Sequence, residues 1–223
     1  MINWSNYFNQ IYCIHFLPNK DRKSHIDAQF KRVGISDSGI LKYHYTFPNK
    51  LERTILNTIP LAHQESYSTP RGILELSLSS AFYAIWQESL WLGYQHVLIV
   101  EDDAVFVDTG SIQTALDHLP YDWDYIHFDN ILCKRENYRL STLNKGEFYH
   151  SNYTGGYWGT CMTAFSAQAM KIAIPIIEDK IWPADYVLEN RDDDSLNVLK
   201  RYAYVYNIVH QIGQNARYNT ILF

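Results

Sequence analysis

The stretch His96-Val-Leu-Ile-Val-Glu101-Asp102-Asp103-Ala-Val-Phe-Val-Asp108 decides the fold class. Four apolar, strand-forming residues run straight into three consecutive carboxylates and then into a second apolar run. This is the pattern of a buried strand that delivers negative charge to its C-terminal end. Adjacent acids repel one another and lose hydration on burial, so such a strand end calls for a counter-cation. A hard divalent ion held by oxygen, Mg²⁺ or Mn²⁺, meets that need, and the chemistry it most often serves is the handling of a phosphate or diphosphate.

Working outward, strand and helix signals alternate on both sides of this stretch. Gln10 to Leu17 is apolar and rich in strand formers, and Pro18-Asn19 closes it. Ile26, Phe30 and Val33 recur at helical spacing from Asp21 onward until Gly34 stops the pattern. Leu41 to Phe47 alternates as a second strand, and residues 48–70, with Pro48, Pro60 and Pro70, read as a long irregular connection. Ile73 to Leu92 is the longest helical pattern, ended by Gly93, and it feeds the central strand. Beyond the acids the pattern predicts a helix near Ser111 to His118, a strand over Tyr125 to Phe128, and a mobile flap from Asp129 to Gly159, rich in Asn, Tyr and Gly. A strand over Cys161 to Phe165, a helix over Ala167 to Glu178, a shorter helix over Asp193 to Lys200 and a strand over Tyr202 to Val209 complete the reading. The expected fold is α/β, a single domain over residues 1–223, with a mostly parallel, Rossmann-like central sheet flanked by helices and ligands at the strands' C-terminal edge.

Composition narrows the function classes. The chain of 223 residues, 47% hydrophobic and 19% charged, has enough apolar content for a sizeable core. A formal net charge of -5 argues against nucleic acid as a partner, because polyanion binders carry a basic excess. Lys20, Arg22, Lys23, Lys31 and Arg32 nonetheless concentrate positive charge early, which suits one phosphate-bearing small molecule as well as it suits a solvated helix face. Arg22, at a helix start, can meet a diphosphate through its guanidinium and through the helix N-terminus, or form a surface ion pair with Asp21 or Asp27. The three cysteines, Cys13, Cys133 and Cys161, form no CxxC pair, which argues against a disulfide framework or a zinc site and fits a reducing compartment. The first residues lack a basic and apolar leader pattern, and no stretch approaches the roughly 20 apolar residues of a membrane span, so the expected location is cytoplasmic.

Four blocks of the chain resemble glycosyltransferase family 25, the lipopolysaccharide and lipooligosaccharide galactosyltransferase type, over about residues 10 to 221. The first is Ile14-His15-Phe16-Leu-Pro-Asn-Lys-Asp21-Arg22, with His15 where the family usually has Asn. The second is Gly72-Ile-Leu-Glu75-Leu76-Ser77-Leu78-Ser79-Ser80, in which Gly72 and Ser79 agree while Glu75, Leu76 and Ser80 depart. The third reproduces Glu101-Asp102-Asp103 unchanged, followed by Trp123-Asp124. The fourth joins Gly159-Thr160, Phe165-Ser166 and Pro183-Ala184-Asp185, with Thr163 where Tyr is frequent.

The resemblance implies a GT-A-type fold and transfer of a hexose, galactose by family precedent, from a UDP-sugar to a saccharide or glycolipid acceptor in lipopolysaccharide, lipooligosaccharide or capsule synthesis. It implies Mn²⁺ or Mg²⁺ held by Asp103 with Asp102, and His210 as a third, late ligand. A lone His beside apolar residues is more commonly a satisfied structural group. It further implies nucleotide contacts from Arg22, Glu101, Asp102 and Ser79, and Asp185 as the carboxylate that takes the acceptor's proton if configuration inverts. Asp192, Asp193 and Asp194 compete for that role, although two of the three read better as helix-capping acids. Tyr153, Tyr157 and Trp158 are candidates for a sugar platform or for ordinary packing. Peripheral contact with the inner face of a membrane follows from such an acceptor. Two other readings stand beside this one: a catalytically inactive nucleotide- or carbohydrate-binding relative, and a metal-dependent phosphoesterase, which lacks the additional His and Asp ligands at recognisable spacing.

Overall fold

The computed structural model describes residues 2–17, 19–46, 70–128, 142–143, 148–150, 160–180, 198–204 and 208–212. After a 3₁₀ turn at Trp4–Asn6 come β1 (Gln10–Phe16), α1 (Lys20–Val33), β2 (Leu41–Thr46), α2 (Pro70–Trp91) and β3 (His96–Glu101). Then follow β4 (Ala104–Phe106), α3 (Thr109–Asp117), β5 (Tyr125–His127), β6 (Thr142–Leu143) and β7 (Phe148–His150). The last elements are β8 (Met162–Ser166), α4 (Ala167–Lys180), β9 (Arg201–Tyr204) and β10 (Val209–Gln211).

Among the described residues eight strands form one sheet in the order β2-β1-β3-β8-β5-β9-β7-β6, and β10 pairs with β4 in a separate two-stranded ribbon. β2, β1 and β3 are mutually parallel, as are β5 and β9. β8 runs against both its neighbours, β3 and β5, and β7 runs against β9 and β6. Six of these eight strands therefore share a direction, but the sheet is more mixed than the alternating pattern predicts, because β8 slots in reversed between β3 and β5. The stretch expected as a flap contributes β6 and β7 to the sheet edge. The single strand expected over Tyr202 to Val209 is two strands, β9 in the main sheet and β10 in the ribbon. Most of the helix expected over Asp193 to Lys200 lies outside the described residues.

Helices cover both faces, and strand alternation sorts the core into two layers. Leu98 and Val100 of β3 pack with Ile26, Phe30 and Val33 of α1. Val97 and Ile99, one residue out of phase, pack with Phe82, Ile85 and Trp86 of α2 and with Ala169, Met170 and Ala173 of α4. α1 starts on an Asn19 cap whose side chain accepts from the Arg22 N–H, and it ends where Gly34 adopts φ 79°, a left-handed conformation that side chains resist. α2 begins at Pro70, three residues before the periodicity, since proline fits the first helical turn. No helix among the described residues is long and apolar enough to cross a membrane.

Candidate functional site

The acid triplet sits where β3 leaves the main sheet. Glu101 is the last residue of the strand, Asp102 and Asp103 form the turn, and β4 peels away to pair with β10. Two backbone contacts hold the turn: the Glu101 N–H donates to Cys161 O at 2.9 Å, and the Ile212 N–H donates to Asp103 O at 2.9 Å. α1 secures β4 from the other side, with His25 Nε2 lying 2.9 Å from Ala104 O and Gln29 Oε1 accepting from the Phe106 N–H at 3.1 Å.

Strand alternation splits the acids between the two faces. Glu101 continues the odd-numbered side of β3, over which α2 lies, and it accepts a hydrogen bond from the Thr160 hydroxyl. Asp102 continues the even-numbered side, beneath α1, and is buried. Its Oδ2 lies 2.7 Å from His15 Nδ1 and accepts from the Phe16 N–H at 3.0 Å, while its Oδ1 accepts from Arg22 Nη1 at 3.0 Å. The register places Ile14 beside Glu101, which brings His15 alongside Asp102.

Asp103 is built differently. The same Arg22 Nη1 lies 3.5 Å from its Oδ2, yet its Oδ1 is buried without a hydrogen-bond partner among the described residues. Burial pushes the Asp103 carboxyl above its ordinary range, Arg22 opposes the shift, and Asp102 adds to it. Arg22 experiences the reciprocal field: burial lowers its proton affinity, but Asp103 and Asp102 outweigh that and raise it.

This asymmetry has a measurable consequence for stability. Between the ordinary carboxyl value of 3.8 and the raised folded value, the folded protein holds a proton on Asp103 that the unfolded chain releases. Stability is therefore lost as pH rises through that window, and the penalty is complete above it. Asp103→Asn removes the penalty and raises the melting temperature at pH 7 by about 2–4 °C, corresponding to about 1 kcal/mol. The gain shrinks toward about pH 3, below the ordinary value of 3.8, where the wild-type carboxyl is protonated in both states. Paired thermal melts at the two pH values check this, and an Asn variant less stable than wild type at pH 7 contradicts it.

The other expected site residues are placed as follows. Arg22, in the first turn of α1 with its side chain 41% exposed, lies against Asp102 and Asp103. Ser79 is buried in α2, across the sheet from Arg22. His210 stands opposite Val105 in the ribbon with Nε2 buried and, among the described residues, unpartnered, and its proton affinity is lowered by burial and by Arg32. Asp185, Asp192, Asp193, Asp194, Tyr153, Tyr157 and Trp158 lie outside the described residues.

The ligand set of Asp103, Asp102 and His210 does not assemble. Among the described residues no three His, Cys, Asp or Glu side chains converge so as to hold a metal ion. Both oxygens of Asp102 are occupied by protein donors. Arg22 also supplies part of the counter-charge that the acid triplet calls for. Asp103 still fits a divalent ion, because its bare buried oxygen is a hard donor, and Mg²⁺-type sites use one or two carboxylates plus substrate phosphates and water. His15 and Thr160 stand in the blocks that carry the resemblance without a role assigned to them there, and His25 lies outside those blocks; strand register, which sequence does not display, brings His15 beside Asp102, and α1 brings His25 to β4.

No family model matches the chain, and no curated protein matches it. Among solved structures it is similar to the crystal structure of a glycosyltransferase involved in the glycosylation of the major capsid of PBCV-1. That similarity has a TM-score of 0.46 and 10% identity, over 87% of this chain and 80% of the other.

Proposed function

We propose that the chain is a glycosyltransferase, one domain over residues 1–223, that moves a hexose from a UDP-sugar to a saccharide or glycolipid acceptor. Galactose, an acceptor in lipopolysaccharide, lipooligosaccharide or capsule synthesis, and action in the cytoplasm at the inner face of a membrane follow the resemblance of Glu101-Asp102-Asp103 and its flanking blocks to family 25. The single observation that carries the reading is the buried, unpartnered Asp103 Oδ1 beside a half-exposed guanidinium at the C-terminal edge of an α/β sheet.

Each residue then has a task. Asp103 holds Mn²⁺ or Mg²⁺ through its bare oxygen. When bound, the ion supplies Lewis-acid stabilisation of the charge gathering on the departing diphosphate. Arg22 directs guanidinium donors to the same phosphates, in a position favoured by the N-terminus of α1. Glu101, with Thr160, contacts the nucleotide on the α2 face, where Ser79 also lies. Asp185 takes the acceptor hydroxyl's proton if the reaction inverts configuration.

A screen of nucleotide sugars with Mn²⁺ for released UDP tests this reading, because even slow donor hydrolysis reports nucleotide and sugar preference together. Release from one UDP-hexose, abolished by EDTA, supports it, while no release and no UDP binding reject it. Arg22→Ala weakens UDP binding by about 10- to 100-fold, the usual worth of a charge-assisted hydrogen bond, and the loss shrinks at high salt. Titration calorimetry at two ionic strengths reads both effects.

A second reading draws on the partial neutralisation of Asp102 and Asp103 by Arg22. An acid turn with its own counter-ion suits a nucleotide- or carbohydrate-binding relative without transferase chemistry. UDP binding indifferent to EDTA, with no turnover over a broad donor panel, identifies that case.

A further inference from the structure

The two aspartates of the turn are neighbours in sequence but opposites in bonding. Asp102 is engaged on both oxygens: they meet three protein groups at 2.7 Å, 3.0 Å and 3.0 Å, and the side chain is buried. With three of its roughly four acceptor sites taken and little exposure, such a carboxylate is a poor cation ligand unless it gives up a donor, and a buried donor left unpaired is costly. Asp103 has a bare oxygen and no such obligation. Arg22 is half-exposed, and among the described residues only its Nη1 is engaged, so the rest of its donor fork is open to an anion.

His15 is fixed in turn. Its ring meets Tyr45 edge-on at 5.9 Å, Tyr45 stacks on Tyr43 at 6.0 Å, and Tyr43 packs on Phe30 of the core at 6.3 Å. Held by this aromatic ladder, His15 presents Nδ1 to Asp102 Oδ2, which leaves Oδ1 directed at the guanidinium.

We infer that Asp102 is a positioning residue rather than a cation ligand: fixed by His15 and the Phe16 N–H, it holds the Arg22 guanidinium against Asp103 with the open part of its fork facing the site. The chain of contact runs from core ring to Tyr43, Tyr45, His15, Asp102 and Arg22. Its consequence for nucleotide binding rests on the proposed function, whereas the ordering of Arg22 stands without it.

The test separates the two. Nitrogen-15 relaxation of the Arg22 guanidinium is measured in the wild type, in Asp102→Asn and in His15→Asn, alongside calorimetric titrations with Mn²⁺ alone and with UDP. The expected result is an ordered guanidinium in the wild type, a mobile one in Asp102→Asn and an intermediate one in His15→Asn. Mn²⁺ affinity stays within about twofold in Asp102→Asn while UDP affinity falls about 10-fold, the usual scale for losing a supporting hydrogen bond. In the Arg22→Ala background, Asp102→Asn costs no further UDP affinity, because residues acting as a unit are non-additive.

A tenfold loss of Mn²⁺ affinity in Asp102→Asn overturns the inference, as do additive losses of UDP affinity or an Arg22 signal that Asp102→Asn leaves unchanged. If that variant fails to fold, the wild type and His15→Asn decide: a wild-type guanidinium as mobile as an exposed arginine overturns the inference, and one that loosens in His15→Asn supports it. A wild type that orders Arg22 yet binds neither UDP nor Mn²⁺ rejects the proposed function and leaves the positioning role standing.

Discussion

Asp103→Ala is expected to lower turnover of the preferred UDP-sugar by about 10²–10³-fold, the cost of removing one preorganised electrostatic stabiliser, while the protein stays folded. Among the described residues Oδ1 has no hydrogen-bond partner, and Oδ2 is paired with Arg22 at 3.5 Å, so truncation strands little that the fold needs. The main-chain bond from Ile212 to Asp103 O survives the substitution and keeps the turn on the ribbon. Turnover and structure therefore separate: released UDP disappears, whereas the far-ultraviolet spectrum and the cooperativity of melting persist. Excess Mn²⁺ restores part of the activity if Asp103 supplies only one ligand among phosphate oxygens and water, since weakened binding is offset by mass action. Full activity in Asp103→Ala, with or without EDTA, removes the site from consideration and moves the search to carboxylates such as Asp185.

The site was half legible in the sequence, and the legible half is the part encoded locally. An apolar run ending in three acids identifies β3 and its edge, because burial and charge are properties of the residues themselves. Alternation along the strand also separates Glu101 from Asp102 once β3 is in place. What could not be read is register and strand direction. Nothing local in Met162–Ser166 states that it runs against β3 and β5, and nothing in Ile14-His15-Phe16 states that His15 falls beside Asp102. Both depend on pairing energies between distant segments.

Motif residues also divide by use. Asp124, in the Trp-Asp block, accepts from Ser166 Oγ at 2.8 Å and from the Lys200 N–H at 3.0 Å, tying β5 to β8 and β9 at the edge opposite the acids. Ser166 Oγ in turn accepts from the Ala169 N–H at 3.1 Å and starts α4. Two of the matched positions are thus structural staples, and a pattern match alone could not distinguish them from the residues that face a ligand.

Phe165→Ala tests the other half of the architecture, the layer that holds α2 and α4 against the reversed strand. Phe165 is fully buried, and its ring contacts Tyr125 at 5.2 Å, Trp86 at 5.3 Å and Phe82 at 5.9 Å, so strands β8 and β5 and helix α2 meet on one side chain. Removing it forfeits both the transfer energy of the ring and the contacts of three aromatics that cannot all collapse into the gap. The expected cost is about 3–5 kcal/mol. With a shift of about 2–4 °C per kcal/mol for a chain of this size, the melting temperature falls by about 10 °C. Phe165→Leu keeps most of the volume and loses about half as much. Because β8 separates β3 from β5, loosening this layer also frees the Glu101 N–H from Cys161 O, and hydrogen exchange at Glu101 accelerates in Phe165→Ala before global unfolding. Unchanged exchange at Glu101 alongside a lowered melting temperature shows instead that the acid turn is held by β4 and β10 alone, mechanically independent of the aromatic layer beneath α2.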